Sequence, residues 1–310
     1  MVSSLPLTGF IVVIWVIRWL WNWLPSLLVA IRSKVPDSDV THMAPYPCEP
    51  IKARAKFSLT MGLRRLNQPN WLTVDKNYVD EHWIRDRLLR ENRQQVLQCL
   101  PESQAACEEM LEEVIGFLCD HFPGMFERKR RGSSLVICNK ETCESFAFGP
   151  SNNKMEPLEI AARLAMEDLS ILMPNEDGEY YLFMARLTPL SPMERSNYFV
   201  QTTCPNEDLF SVLFCPNGLS VDNFNQSPRD IIIRRERQTF RRLPRTDAVV
   251  FSVKTTLTAL DELPPQELAN LATEISHWPD DMARYKGRDI WGTAVLEFCE
   301  QRAGPQPEDT

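Results

Sequence analysis

Apolar residues recur along the chain with two different periods, and these periods predict its helices and strands. Helical spacing covers residues 78–99 and 102–122, and a third helix opens at Pro157 and runs to Leu172. Shorter runs rich in β-branched and aromatic residues predict strands. Helices followed by strands and again by helices are typical of an α+β fold with a mostly antiparallel sheet. The predicted strands are 134–138, 179–187, 196–202, 208–214, 230–240 and 247–257, and the closing helices are 265–277 and 280–301.

The N-terminal part of the chain is apolar almost without interruption. Residues 7–29 would form a helix about 34 Å long, which is enough to cross a bilayer. Arg18 lies near its middle, and basic residues such as Arg32 and Lys34 follow it. Positive charge on that side predicts a single-pass membrane protein with a cytosolic main domain. Residues 1–31 are thus the predicted anchor, with an interfacial helix and a signal peptide as alternatives.

The remainder of the chain divides by composition. Residues 32–56 contain four prolines and many polar side chains, which predicts a linker. Residues 57–302 read as one continuous domain, and the polar residues 303–310 predict a disordered tail.

Charge and residue usage exclude several classes of function. The chain has 310 residues and a net charge of −8, which argues against a nucleic-acid partner. Nine scattered cysteines without a C-x-x-C motif predict reduced thiols. The four histidines include no pair at the spacing of a helical metal site, and no G-x-G-x-x-G loop occurs. Catalytic residues and metal ligands therefore stay unassigned.

The strand predicted over residues 230–240 carries the most distinctive charge pattern. Alternate residues of a strand share a face, so Arg235, Arg237 and Thr239 follow Ile231 and Ile233 on one side. The two arginines would stand about 7 Å apart. Two guanidinium groups beside an apolar floor suit an anionic ligand with an apolar body. The alternative is a solvated edge strand whose charges prevent aggregation.

Several separated motifs resemble one known family, the haem-dependent oxidative N-demethylase-like proteins, whose fungal members are called HRQ family proteins. The resemblance implies a PAS-like fold that holds haem b. It also implies oxidation of small methylated amines, with electrons from flavin and iron–sulfur partners. The matching motifs are MGLRRL at 61–66, WLTVD at 71–75, AMEDL at 165–169, RSNY at 195–198 and RERQT at 235–239.

The resemblance assigns Arg235, Arg237 and Thr239 to cofactor binding, with haem b as the expected cofactor. It also exposes a departure from the family pattern. Relatives usually carry a longer stretch with an I-H-x-P-V-P motif, where this chain has only residues 188–194. No histidine lies between His121 and His277. A non-catalytic haem or ligand sensor and a degenerate member with a structural role are therefore the alternatives to an enzyme.

Overall fold

The computed structural model describes residues 40–53, 62–132, 134–149, 155–173, 188–202, 210 and 227–303. All of them belong to one compact unit, residues 39–310. The cysteines in this part of the chain are all free thiols. The predicted strands 179–187 and 208–214 and the tail beyond Ala303 lie outside the described residues, except for Phe210.

Seven helices are found in the described part of the chain. The longest helix, α3 (Gln104–His121), begins after a short 3₁₀ turn at Pro101–Ser103. Its buried side chains include Met110, Val114 and Leu118. This 3.6-residue spacing of apolar side chains is what predicts an amphipathic helix. The helices are α1 Tyr78–Glu91, α2 Arg93–Val96, α3 Gln104–His121, α4 Pro157–Leu164, α5 Pro265–Ser276, α6 Asp280–Tyr285 and α7 Arg288–Ala303.

The strands form two antiparallel sheets. The strands are β1 Arg64–Arg65, β2 Phe126–Arg131, β3 Ser134–Asn139, β4 Glu144–Phe148, β5 Asp168–Leu172, β6 Met193–Thr202, β7 Ile231–Arg242 and β8 Val249–Ala259. One sheet has the order β1-β6-β7-β8-β5, and the other has the order β2-β3-β4. Tyr198 on β6 lies opposite Arg235 on β7, and Thr256 on β8 lies opposite Arg235 from the other side.

Two apolar clusters flank the middle of β7. Ile231 and Ile233 are fully buried and pack with Leu271 and Trp291 from the C-terminal helices. The other cluster gathers around α3 and includes Trp71. The charged residues that follow Ile233 on the same strand face therefore lie between two well-packed regions.

The structure corrects the predicted membrane anchor. No helix in the described part of the chain combines the length and the apolarity needed to cross a bilayer. The longest of them, α3, has 18 residues and carries five acidic side chains. Residues 7–29, the predicted span, lie outside the described residues. In the described part of the chain the fold class is α+β with antiparallel sheets and without a transmembrane helix. The predicted single-pass membrane localisation is therefore wrong.

Within the described residues the other predicted elements are recovered, except that two predicted helices are each divided and that one segment has the wrong state. The helix predicted over 280–301 is two helices, Asp280–Tyr285 and Arg288–Ala303, and the one predicted over 78–99 is Tyr78–Glu91 and Arg93–Val96. The helix predicted from Pro157 to Leu172 ends at Leu164, and Asp168–Leu172 forms strand β5. This segment pairs with β8 along its whole length, and Leu169 and Ile171 pack on the core cluster around α3. A short apolar run cannot be assigned to helix or strand by period alone, so the tertiary pairing decided its state.

Candidate functional site

A cleft of about 290 Å³ opens where β6, β7 and β8 present one face of the large sheet. We call it the β7 cleft. Residues 46–52 form one wall, and Trp278, Met282 and Lys286 from the C-terminal region form another. Arg235 and Arg237 both line it, as strand alternation requires of two residues that share a face.

The lining of the β7 cleft has more basic than acidic residues, but four of the basic ones pair with carboxylates: Arg64 with Glu49, Arg235 with Glu267, Arg237 with Glu194 and Lys254 with Glu81. Three of its lining residues are acidic, namely Glu49, Glu236 and Glu274. Basic and acidic side chains in one small volume favour ligands with a charged group. Six lining residues are basic: Lys52, Arg64, Arg235, Arg237, Lys254 and Lys286.

Arg237 is bound on every side by the protein. Its Nε donates to Glu194 Oε2 at 3.0 Å, and its terminal nitrogens donate to the backbone carbonyls of Asn70 and Trp71. Its guanidinium carbon lies 4.2 Å from the centre of the Tyr46 ring. Because its donors are already engaged, Arg237 connects β6, β7 and the segment before Trp71 into one wall of the cleft.

Arg235 has donor capacity left. One terminal nitrogen donates to Glu267 Oε2 at 2.6 Å, and the other lies 3.5 Å from the carbonyl oxygen of Glu49. Its Nε is buried and has no hydrogen-bond partner. A buried donor without an acceptor costs about 1–3 kcal/mol, so an acceptor that reached this atom after a side-chain movement would be stabilised.

Thr239 takes no part in the lining of the cleft. Its side chain is buried, and its hydroxyl shares a 2.7 Å hydrogen bond with the hydroxyl of Ser252 on β8. Of the three residues predicted to bind the cofactor, the structure brings Arg235 and Arg237 to the cleft surface and places Thr239 inside the sheet packing.

Lys286 is the most unusual residue of the cleft, and no local pattern in the sequence predicts it. Its ammonium lies 4.9 Å, 4.5 Å and 5.7 Å from the ring centres of Tyr198, Phe199 and Trp278. It donates to Asn197 Oδ1 at 2.9 Å and to the carbonyl oxygen of Tyr198. Burial lowers the pKa of Lys286 to about 8. A lysine becomes buried through tertiary packing, so local sequence cannot reveal it.

Glu167, which follows the helix that ends at Leu164, is almost fully buried. Its Oε1 accepts hydrogen bonds from the backbone N–H and the hydroxyl of Thr73, both at 2.8 Å. Its Oε2 has no partner. Burial raises the pKa of this carboxyl, and the hydrogen bonds from Thr73 and the charges of Lys254 and Arg237 oppose the shift.

A second cleft of about 410 Å³ lies between α1, α4 and β5. Its lining is mostly apolar and includes Leu88, Leu158 and Met166. Its two arginines are both engaged: Arg85 donates to the backbone carbonyls of Met166 and Glu167, and Arg234 pairs with Glu236. The β7 cleft is therefore the better candidate for a ligand with a charged group.

All four histidines of the chain fall within the described residues, and none of them lines the β7 cleft. His82 is buried, with Nδ1 3.1 Å from the carbonyl oxygen of Arg163 and Nε2 2.8 Å from Glu144 Oε2. The Nδ1 atoms of His121 and His277 contact backbone carbonyls one helical turn earlier. Across the described chain no cluster of His, Cys, Asp or Glu could hold a metal ion by itself.

These facts test whether the cleft suits haem. A histidine-ligated haem does not fit, because no imidazole reaches this surface. The iron donors that proteins also use are tyrosine, cysteine and methionine. Tyr46, Cys48, Tyr198 and Met282 all line the cleft. Together with the unpartnered Nε of Arg235, the lining supplies the donor types that a haem with a non-histidine ligand would use.

Comparison with known families agrees with the motifs. Two segments, residues 62–183 and 182–296, match the family model described as "Haem-dependent oxidative N-demethylase, alpha subunit-like". The two segments overlap at residues 182–183, a few residues before the stretch 188–194. That this stretch is shorter than in relatives stays a prediction. Together they cover well over half of the chain, and most of the described residues fall within them. The chain therefore belongs to the haem-dependent oxidative N-demethylase, alpha subunit-like family.

Proposed function

We propose that this protein is a haem-dependent oxidoreductase that demethylates a small methylated amine, and that the β7 cleft holds haem b. Family membership supports the reaction class. The observation that carries the location is Arg235, which lines the cleft and whose buried Nε lacks a partner. When bound, haem supplies the iron at which O₂ is activated for oxidation of the N-methyl carbon. The electrons would come from a flavin or iron–sulfur reductase.

Arg235 and Arg237 would have different roles in binding the cofactor. Arg235 donates to a carboxylate of the cofactor, and Arg237 keeps β7 and its neighbours in place. The rings of Tyr198 and Trp278 and the side-chain oxygen of Asn197 already hold the ammonium of Lys286, so the substrate amine is not assigned to them.

Arg235→Gln should weaken haem binding by about 10- to 100-fold. A charge-assisted hydrogen bond contributes about 1.5–3 kcal/mol, which converts to that range in the dissociation constant. The matched control is Arg229→Gln, because Arg229 is exposed and pairs with Asp261 away from the cleft. Both variants are titrated with haem at the Soret band, with circular dichroism as the check on folding. Equal affinity of wild type and Arg235→Gln would remove Arg235 from the site.

The histidine positions favour a second candidate function, a ligand-binding family member without turnover. Such a protein would bind haem or another anion in the β7 cleft but would not oxidise amines. Amine-dependent O₂ consumption by the haem-loaded protein with a reductant separates the two. Consumption that rises with added dimethylamine supports the oxidoreductase, and haem binding without consumption supports the sensor. A protein that binds no haem would be a degenerate member with a structural role.

A further inference from the structure

We propose that Lys286 is a nucleophilic amine that captures a small aldehyde inside the β7 cleft. Oxidative removal of an N-methyl group releases the methyl carbon as formaldehyde. The source of the aldehyde thus rests on the proposed function. The reactivity of the amine does not, because it follows from the surroundings of Lys286 alone.

The position of Lys286 is the first argument. The residue is 9% exposed, and its Nζ still reaches the lining of the cleft. Lysine is almost never buried unless it is paired with an acid. The hydrogen-bond partners of Nζ are both uncharged, Asn197 Oδ1 and the carbonyl oxygen of Tyr198. No carboxylate in the described chain forms an ion pair with it.

The desolvation of Nζ is the second argument. It lowers the pKa of Lys286 to about 8, although the carboxylates of Glu236 and Glu274 raise it. Arg235 and Lys254 line the same cleft, but neither is among the charges that shift this pKa. Desolvation is one means by which proteins activate lysine as a nucleophile. An ordinary exposed lysine at pH 7.4 is neutral in only about one molecule in a thousand.

The geometry at Nζ suits the reaction. A neutral amine has two N–H bonds and one lone pair, and the two acceptors engage both N–H bonds. The lone pair attacks the carbonyl carbon of formaldehyde, and the carbonyl oxygen takes a proton from the nitrogen to give N–CH₂OH. Loss of water then leaves the imine N=CH₂. No oxidant or reductant is needed, and hydrolysis returns the free amine and formaldehyde.

Reductive methylation tests the proposal on the full chain without haem, reductase or amine substrate. The protein is treated briefly with limiting formaldehyde and cyanoborohydride between pH 6 and 10, and methylated peptides are quantified by mass spectrometry. At pH 7 we expect Lys286 to react about tenfold faster than the exposed Lys52 and Lys140, with a rate that levels off above pH 8. A slower reaction at Lys286 over the whole pH range would overturn the proposal.

Substitutions test whether Lys286 reacts quickly because its pKa is low or only because formaldehyde can reach it. Glu236→Gln removes a carboxylate that raises the pKa of Lys286, so the midpoint of the pH–rate curve of Lys286 should move to lower pH. Lys140→Arg should leave that curve unchanged, because Lys140 lies outside the cleft. An unmoved midpoint in Glu236→Gln would contradict the electrostatic argument. Fast methylation of Lys286 in a protein that oxidises no amine would refute the proposed function alone, and amine oxidation with an inert Lys286 would refute the capture alone.

Discussion

Replacing Arg237 with methionine should lower the free energy of unfolding by about 3–5 kcal/mol, the range found when one partner of a buried ion pair is removed. The Arg237 and Glu194 side chains are 10% and 8% exposed. The substitution leaves Glu194 with only Arg64 as a charged partner and removes the donors to Asn70 and Trp71. Methionine keeps much of the length of the side chain, so the loss would come from charge and hydrogen bonding rather than from a cavity.

Urea unfolding followed by circular dichroism measures this loss. Arg229→Met is the matched control, because the side chain of Arg229 is 83% exposed and its ion pair with Asp261 should contribute about 1 kcal/mol or less. A similar small loss in both variants would show that Arg237 is solvated and that the wall of the β7 cleft is not held as described.

Glu167→Gln should stabilise the protein near pH 7 by about 1–3 kcal/mol, because the neutral amide avoids the cost of burying a carboxylate charge. Burial raises the pKa of Glu167 in the folded protein. A group of this kind contributes its full stability below the pKa of the unfolded chain, about 4.3, and that stability is lost as the pH rises through the folded pKa. The amide oxygen of glutamine can still accept both hydrogen bonds from Thr73.

The pH profile makes this second prediction distinctive. Wild type and Glu167→Gln should be nearly equal in stability at pH 4 and should separate as the pH rises toward 7. Glu108→Gln serves as the control, because Glu108 is exposed on α3 and its charge is solvated. If Glu167→Gln is the less stable protein at pH 7, the carboxylate is held charged by Lys254 and Arg237, and the direction of its pKa shift is reversed.

Local pattern was sufficient to place Arg235 and Arg237 on one face of β7, because the side-chain period of a strand is two wherever the strand lies. It could not reveal their partners. Glu194 lies 43 residues from Arg237 along the chain, and Asn70 lies 167 residues away. Long-range packing therefore decides which arginine is saturated by the protein and which keeps a free donor.

The same limit explains the two residues that sequence reasoning missed. Glu167 follows a helix, and its burial depends on Thr73 from a distant segment. Lys286 lies at the end of α6, where a lysine is ordinarily solvated, and it is enclosed by rings from β6 and Trp278. Charge at a helix end is a local signal, whereas the environment that changes its pKa is assembled by the fold.

The measurement that tests the account most directly is a haem titration of the full-length wild type beside variants in which each of the four histidines is replaced by alanine. The account predicts one haem per chain, with a Soret band that each histidine variant retains at similar affinity. Absence of a saturable Soret band in the wild type would contradict haem binding. Loss of the band in His277→Ala or another folded histidine variant would contradict a non-histidine ligand in the β7 cleft.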